Sequence, residues 1–80
     1  MKELDLYKFC QDKEMRWHGD KLYIWIRFYD LREFTDLIGC DWFDEGGEDV
    51  SLQYDCICMD LVDICDNHEI DPERIFAKRN

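Results

Sequence analysis

Eighty residues, 46% apolar and 38% charged, are one domain's worth of chain, and twelve Phe, Tyr and Trp give so short a chain large side chains to bury. No stretch approaches the roughly 18 consecutive apolar residues of a membrane-spanning helix. A net charge of −10 excludes the basic footprint that direct nucleic-acid binding needs.

The first residues, MKELDLYKFCQDKE, are charged throughout and lack the apolar core of a signal peptide. Five cysteines are an odd number at spacings that match no disulfide scaffold. Both observations predict an intracellular (cytoplasmic) chain with free thiols. Residues 3–14 fit two patterns. Leu4/Leu6 and Tyr7/Phe9 alternate as in a strand, whereas Leu6, Phe9, Cys10 and Lys13 share one helical face, and a short helix is the preferred reading. Met15 to His18 is expected to pair with the segment that follows, through a two-residue hairpin loop at Gly19-Asp20.

Residues 21–30, KLYIWIRFYD, are the organising stretch. Its β-branched and aromatic content predicts a strand. Leu22, Ile24, Ile26 and Phe28 fall on one, core-facing side. Tyr23, Trp25, Arg27 and Tyr29 fall on an amphipathic side that is half covered or meets a partner. Asp30 is placed to cap a helix over LREFTDLI, where Leu31, Phe34, Leu37 and Ile38 make an apolar stripe and Gly39 suits the left-handed stop. Residues 40–48 are turn-rich, with Gly46-Gly47 permitting a reversal. Residues 50–59, VSLQYDCICM, read as one strand; a turn at Tyr54-Asp55 between two shorter strands is the alternative. Asp60 is a predicted N-cap for LVDICDNH, with Leu61, Ile64, Cys65 and His68 inward. Asp71-Pro72 opens a last short helix, with Ile70 stapled on Ile75. The expected fold is therefore a single α+β domain over residues 1–80, a small antiparallel sheet packed by two to four short helices in the order α-β-β-α-β-β-α-α.

Charge is distributed unevenly along this order. Residues 1–32 sum to +1, residues 33–73 hold fourteen Asp/Glu and no Lys or Arg, and residues 74–80 sum to +3. Ordinary surfaces mix both signs, because like charges repel across the compact state. The basic-free span is too rich in Leu, Ile, Val, Phe, Trp and Cys to be disordered. It is expected to fold into a negative surface carrying Glu33, Asp36, Asp41, Trp42, Asp44, Glu45, Glu48, Asp49, Asp55, Asp63 and Asp66. Carboxylates spaced like phosphates, about one per 1.7 Å of duplex, suit a basic groove on a nucleic-acid-binding protein. Trp42, Phe43 and Tyr54 lie among them as possible anchors. The plainer reading makes the acids a solubilising surface on a general interaction module or accessory subunit, whose interface is then apolar and lies around Trp25 and Tyr23.

Other chemistry is poorly represented. Cys56, Cys58, Cys65 and His68 are the ligand types of structural zinc, but the C-x-C spacing is short and buried thiols are common in cores. Residues 41–52 place Gly46 at the sixth position of a calcium loop, but Phe43 and Leu52 stand where ligands belong. His18 lies in a turn and His68 beside acids, and no catalytic motif occurs. The reading implies no cofactor, no metal and no enzyme.

Two resemblances remain. Residues 63–76, DICDNHEIDPERIF, resemble the closing helix–turn–helix of phage-repressor-type domains, and with Arg74 as their one basic residue they read as a packing motif. In size, charge and the basic-free span of residues 33–73, the chain also resembles small acidic phage-encoded inhibitors of host defence, the anti-CRISPR and anti-restriction proteins. That resemblance implies a nuclease or its nucleic-acid-recognition subunit as partner, occluded by carboxylates that pair with phosphate-binding Arg and Lys.

Overall fold

A computed structural model of the chain describes residues 3–39, 47–51 and 54–77, with backbone alone for 47–51 and 77. The elements are helix α1 (Glu3–Cys10), strands β1 (Glu14–His18) and β2 (Lys21–Arg27), a 3-10 turn (Phe28–Asp30), helix α2 (Leu31–Ile38), strands β3 (Gly47–Ser51) and β4 (Cys56–Asp60), and helices α3 (Leu61–Asn67) and α4 (Pro72–Ala77). This is the predicted α+β order. The four strands form one antiparallel sheet in the order β1-β2-β4-β3. Among the described residues no helix is long and apolar enough to cross a membrane.

The two-residue β1–β2 loop holds as expected, with His18 opposite Lys21. Gly19 has φ 64° and Asp20 is not at positive φ, the pattern of a II′ turn, whose first central position glycine fits best. The register then sorts the side chains. Ile24 lies opposite Met15 and Met59, and Ile26 opposite Ile57. With Leu22 they form the inner face, and they join one buried cluster with Leu6, Phe9 and Cys10 of α1, Phe34 and Ile38 of α2, Ile64 and Cys65 of α3, and Ile75 of α4. Phe9 and Phe34 meet at 5.2 Å between ring centroids. All four helices therefore contribute to the same layer, on one side of the sheet. Cys56 is buried without joining that cluster, and Tyr23 and Trp25 are half-buried without packing on it. They occupy the other side.

Several local expectations are corrected. Residues 50–59 are not one strand. The chain reverses at Tyr54-Asp55, where Asp55 takes φ 51°, and the two shorter strands of the alternative result. The Phe28 amide donates to the Asp55 carbonyl at 2.8 Å, which fixes this turn against the end of β2. Phe28 consequently leaves the strand and enters the 3-10 turn, still packed on the core. Gly47 starts β3, with a bulge between it and Asp49, and the rest of the expected turn segment, residues 40–46, lies outside the described residues. Asp30 stands at the start of α2 but makes no side-chain cap, because its carboxylate faces Lys13 at 3.7 Å. Lys13 in turn lies beyond α1. Its amide donates to the Cys10 carbonyl, and its Nζ lies 4.4 Å from the centre of the Phe9 ring.

The remaining caps are as read. Gly39 ends α2 at φ 79° and donates to the Thr35 carbonyl. Asp60 caps α3 through the Val62 amide, and Asp71 accepts from the Glu73 amide at the start of α4. Ile70 and Ile75 are both buried in the core. His68 is half-buried at the end of α3 rather than inside its packed face. Residues 63–76 serve as a packing unit, anchored by Ile64, Cys65, Ile70 and Ile75.

Candidate functional site

The helix layer carries the acids. Glu33 and Asp36 are exposed on α2, and Asp63 and Asp66 are exposed on α3 at the i, i+3 spacing that puts them on one stripe. Asp55 is exposed at the β3–β4 turn. Glu48 and Asp49 fall on β3, Glu48 at the bulge. Asp41, Trp42, Asp44 and Glu45 lie outside the described residues, as does Phe43.

Three further acids follow the α3 pair in the chain. Glu69, Asp71 and Glu73 are exposed, so five carboxylates follow one another from Asp63 to Glu73 with no cation between them. Asp71 and Glu73 share a shallow cleft of about 540 Å³ with Asp20, over Trp17, Val62 and Pro72. The continuation was legible in the basic-free span, but the turn that puts Asp20 into the same cleft as Asp71 was not. Arg74 closes the run and pairs with Glu3 at 3.2 Å.

The other side of the sheet is different in kind. His18, Tyr23 and Trp25 form an aromatic row, with centroids 6.2 Å and 6.4 Å apart. Arg16 lies opposite Tyr23 in the register, and Arg27 opposite Cys56. Lys13 sits at the margin, bonded to Asp12 at 2.8 Å and to the Phe9 carbonyl at 3.3 Å. Burial works against its charge, yet the Asp12 hydrogen bond and the charges of Asp12, Asp30 and Glu33 hold its pKa above the usual lysine value. The same hydrogen bond lowers that of Asp12.

The four soft ligand types do not converge. Cys56 and Cys58 lie on the aromatic side of the sheet, while Cys65 lies in the core on the opposite side. Burial, with Asp66, Asp71, Asp60 and Glu3 nearby, pushes the Cys65 thiol up to about 12, so it is a neutral core group at ordinary pH. Among the described residues no three His, Cys, Asp or Glu side chains gather as a metal site.

The chain thus exposes carboxylates on α2, α3 and the start of α4, and carries aromatics with guanidinium groups on the other side of the sheet. In comparison with known proteins, no family model, no curated protein and no solved structure matches it.

Proposed function

We propose that this chain is a non-enzymatic binding protein whose acidic surface occupies a basic groove on a nucleic-acid-binding protein. One observation supports the reading above others: Asp63, Asp66, Glu69, Asp71 and Glu73 are all exposed on a folded surface, in a span of residues 33–73 that has no Lys or Arg. A solvated surface under no other demand mixes signs, since that lowers self-repulsion. Facing Arg and Lys that otherwise hold phosphates, such a surface gains charge-assisted hydrogen bonds and rapid, salt-sensitive association. The resemblance in size and charge to inhibitors of host defence suggests a CRISPR or restriction nuclease as the partner class.

The test is capture from bacterial lysate at about 0.1 M and 0.5 M salt, which span strong and weak electrostatic range, using the wild-type chain and an Asp63→Lys, Asp66→Lys variant. The expected result is one nucleic-acid-binding protein, retained at low salt and lost with the variant. Capture indifferent to salt and to the variant overturns the reading. The aromatic row on the other side of the sheet favours a second one, an interaction module that docks through Tyr23 and Trp25. It expects salt-indifferent capture that Trp25→Ala abolishes.

A further inference from the structure

Two aromatic side chains stand largely in solvent among the described residues, Tyr29 at 82% and Tyr54 at 61% exposure, and both line one cleft of about 630 Å³. Trp25, Arg27 and Arg16 line the same cleft. Its walls are set by backbone. Arg27 Nη1 donates to the Tyr54 carbonyl at 2.6 Å, and the Phe28 amide donates to the Asp55 carbonyl at 2.8 Å. These bonds hold the β3–β4 turn and the 3-10 turn together at the end of β2, so Tyr29 and Tyr54 are displayed from anchored turns.

The charges around the cleft are unequally satisfied. Of its three carboxylates, Asp12 and Asp30 face Lys13, at 2.8 Å and 3.7 Å, and the third is Glu14. Among the described residues Arg16 pairs with Glu14 at 3.9 Å, the limit of an ion pair. Arg27 is paired with no carboxylate among the described residues. Three carboxylates and three cations thus line the cleft, and Arg27 is the guanidinium with N–H donors not matched to a carboxylate among the described residues, beside aromatic faces, in a molecule whose net charge is −10.

We propose that this cleft binds a planar aromatic ring carrying an anionic group, the chemistry of a nucleoside monophosphate. The volume lies within the roughly 300–1,000 Å³ of small-ligand sites. Tyrosine and tryptophan faces stack on any base, and a guanidinium matches phosphate oxygens two at a time. Source matters, because the same group occurs free and in single strands. Only one or two phosphates find guanidinium partners here, and a longer chain of phosphates runs over a protein of opposite preference. The free mononucleotide is therefore the ligand. The inference is independent of the acidic surface and survives its failure.

The experiment is a titration followed by amide and indole NMR, with the four nucleoside 5′-monophosphates, a nucleoside, inorganic phosphate and a short single-stranded oligonucleotide. The expected result is saturable shifts at Trp25, Arg27, Tyr29 and Tyr54 with at least one monophosphate, and weaker response to nucleoside or phosphate alone. An Arg16→Gln variant is expected to weaken the monophosphate by about tenfold while leaving the nucleoside unchanged. Tyr29→Ala is expected to weaken both, and so exposed a side chain leaves the fold intact. Absence of shifts in this cleft with every monophosphate overturns the proposal, as does unchanged affinity in the two variants. Tighter binding of the oligonucleotide overturns the assignment to a free nucleotide.

Discussion

The carboxylate of Asp60, 3% exposed, accepts from the Leu22 amide at 3.4 Å, joining the end of β4 to the start of β2. The same oxygen accepts from the Val62 amide at 3.0 Å as the cap of α3. One side chain thus ties the central strand to the helix packed over it. Asp60→Ala removes a cap and leaves a buried amide without this acceptor, a loss of roughly 2–4 kcal/mol. Asp60→Asn keeps an acceptor oxygen and is expected to lose less than half of that. Urea unfolding of the two variants checks both. Equal losses would mean that charge, not the acceptor geometry, is what matters.

Gly19 adopts φ 64° with no atom near the place a Cβ would take. The cost of a side chain there is therefore conformational alone. Gly19→Ala is expected to destabilise by about 1 kcal/mol, and Gly19→Asn by about as much, because the first central position of a II′ turn lies outside the left-handed helical well that Asn tolerates. Thermal midpoints measure both losses. A Gly19→Val loss no larger than that of Ala runs against the II′ assignment.

Cys65 gives the molecule an alkaline weakness. Its thiol is held neutral up to about 12, against 9.0 for an ordinary one. Below pH 9 both folded and unfolded thiols keep their protons and nothing is lost. Between 9 and 12 the unfolded thiol ionises first, so stability falls as pH rises, by up to about 1.4 kcal/mol per unit. Urea midpoints at pH 8 and pH 10 are expected to fall more in the wild type than in Cys65→Ala. Equal falls assign the alkaline loss to other groups.

Salt is expected to act in opposite senses on fold and on association. With a net charge of −10, raising NaCl from about 0.02 M to 0.5 M shortens the Debye length from roughly 20 Å to about 4 Å and relieves self-repulsion. The thermal midpoint should rise by a few degrees. Over the same range, binding to a basic partner should weaken, chiefly through a slower on-rate. Asp63→Lys with Asp66→Lys should raise the low-salt midpoint slightly, since both side chains are exposed, and flatten the salt dependence of binding. A midpoint that falls with salt contradicts the repulsion argument.

Element order and the inner face were legible because each rests on local periodicity. The period-two pattern of Leu22, Ile24 and Ile26 and the stripe of Phe34 and Ile38 need only one buried side per element. Caps were legible in position and not always in chemistry. Asp60 and Asp71 bond the amides expected of them, whereas Asp30 faces Lys13, a residue seventeen places earlier that the α1–β1 turn delivers. The single-strand reading of residues 50–59 failed at Asp55, because its left-handed backbone is held by a bond from Phe28 that no local pattern contains.

By itself, then, the sequence determined an acidic α+β chain with a basic-free span, since composition and hydrophobic period are properties of single segments. Only the tertiary structure decided that all four helices share one side, that Asp20 lines one cleft with Asp71, and that Tyr29, Tyr54, Trp25 and two arginines line another. Those relations come from strand register and turn geometry, which are set by hydrogen bonds between residues far apart in the chain.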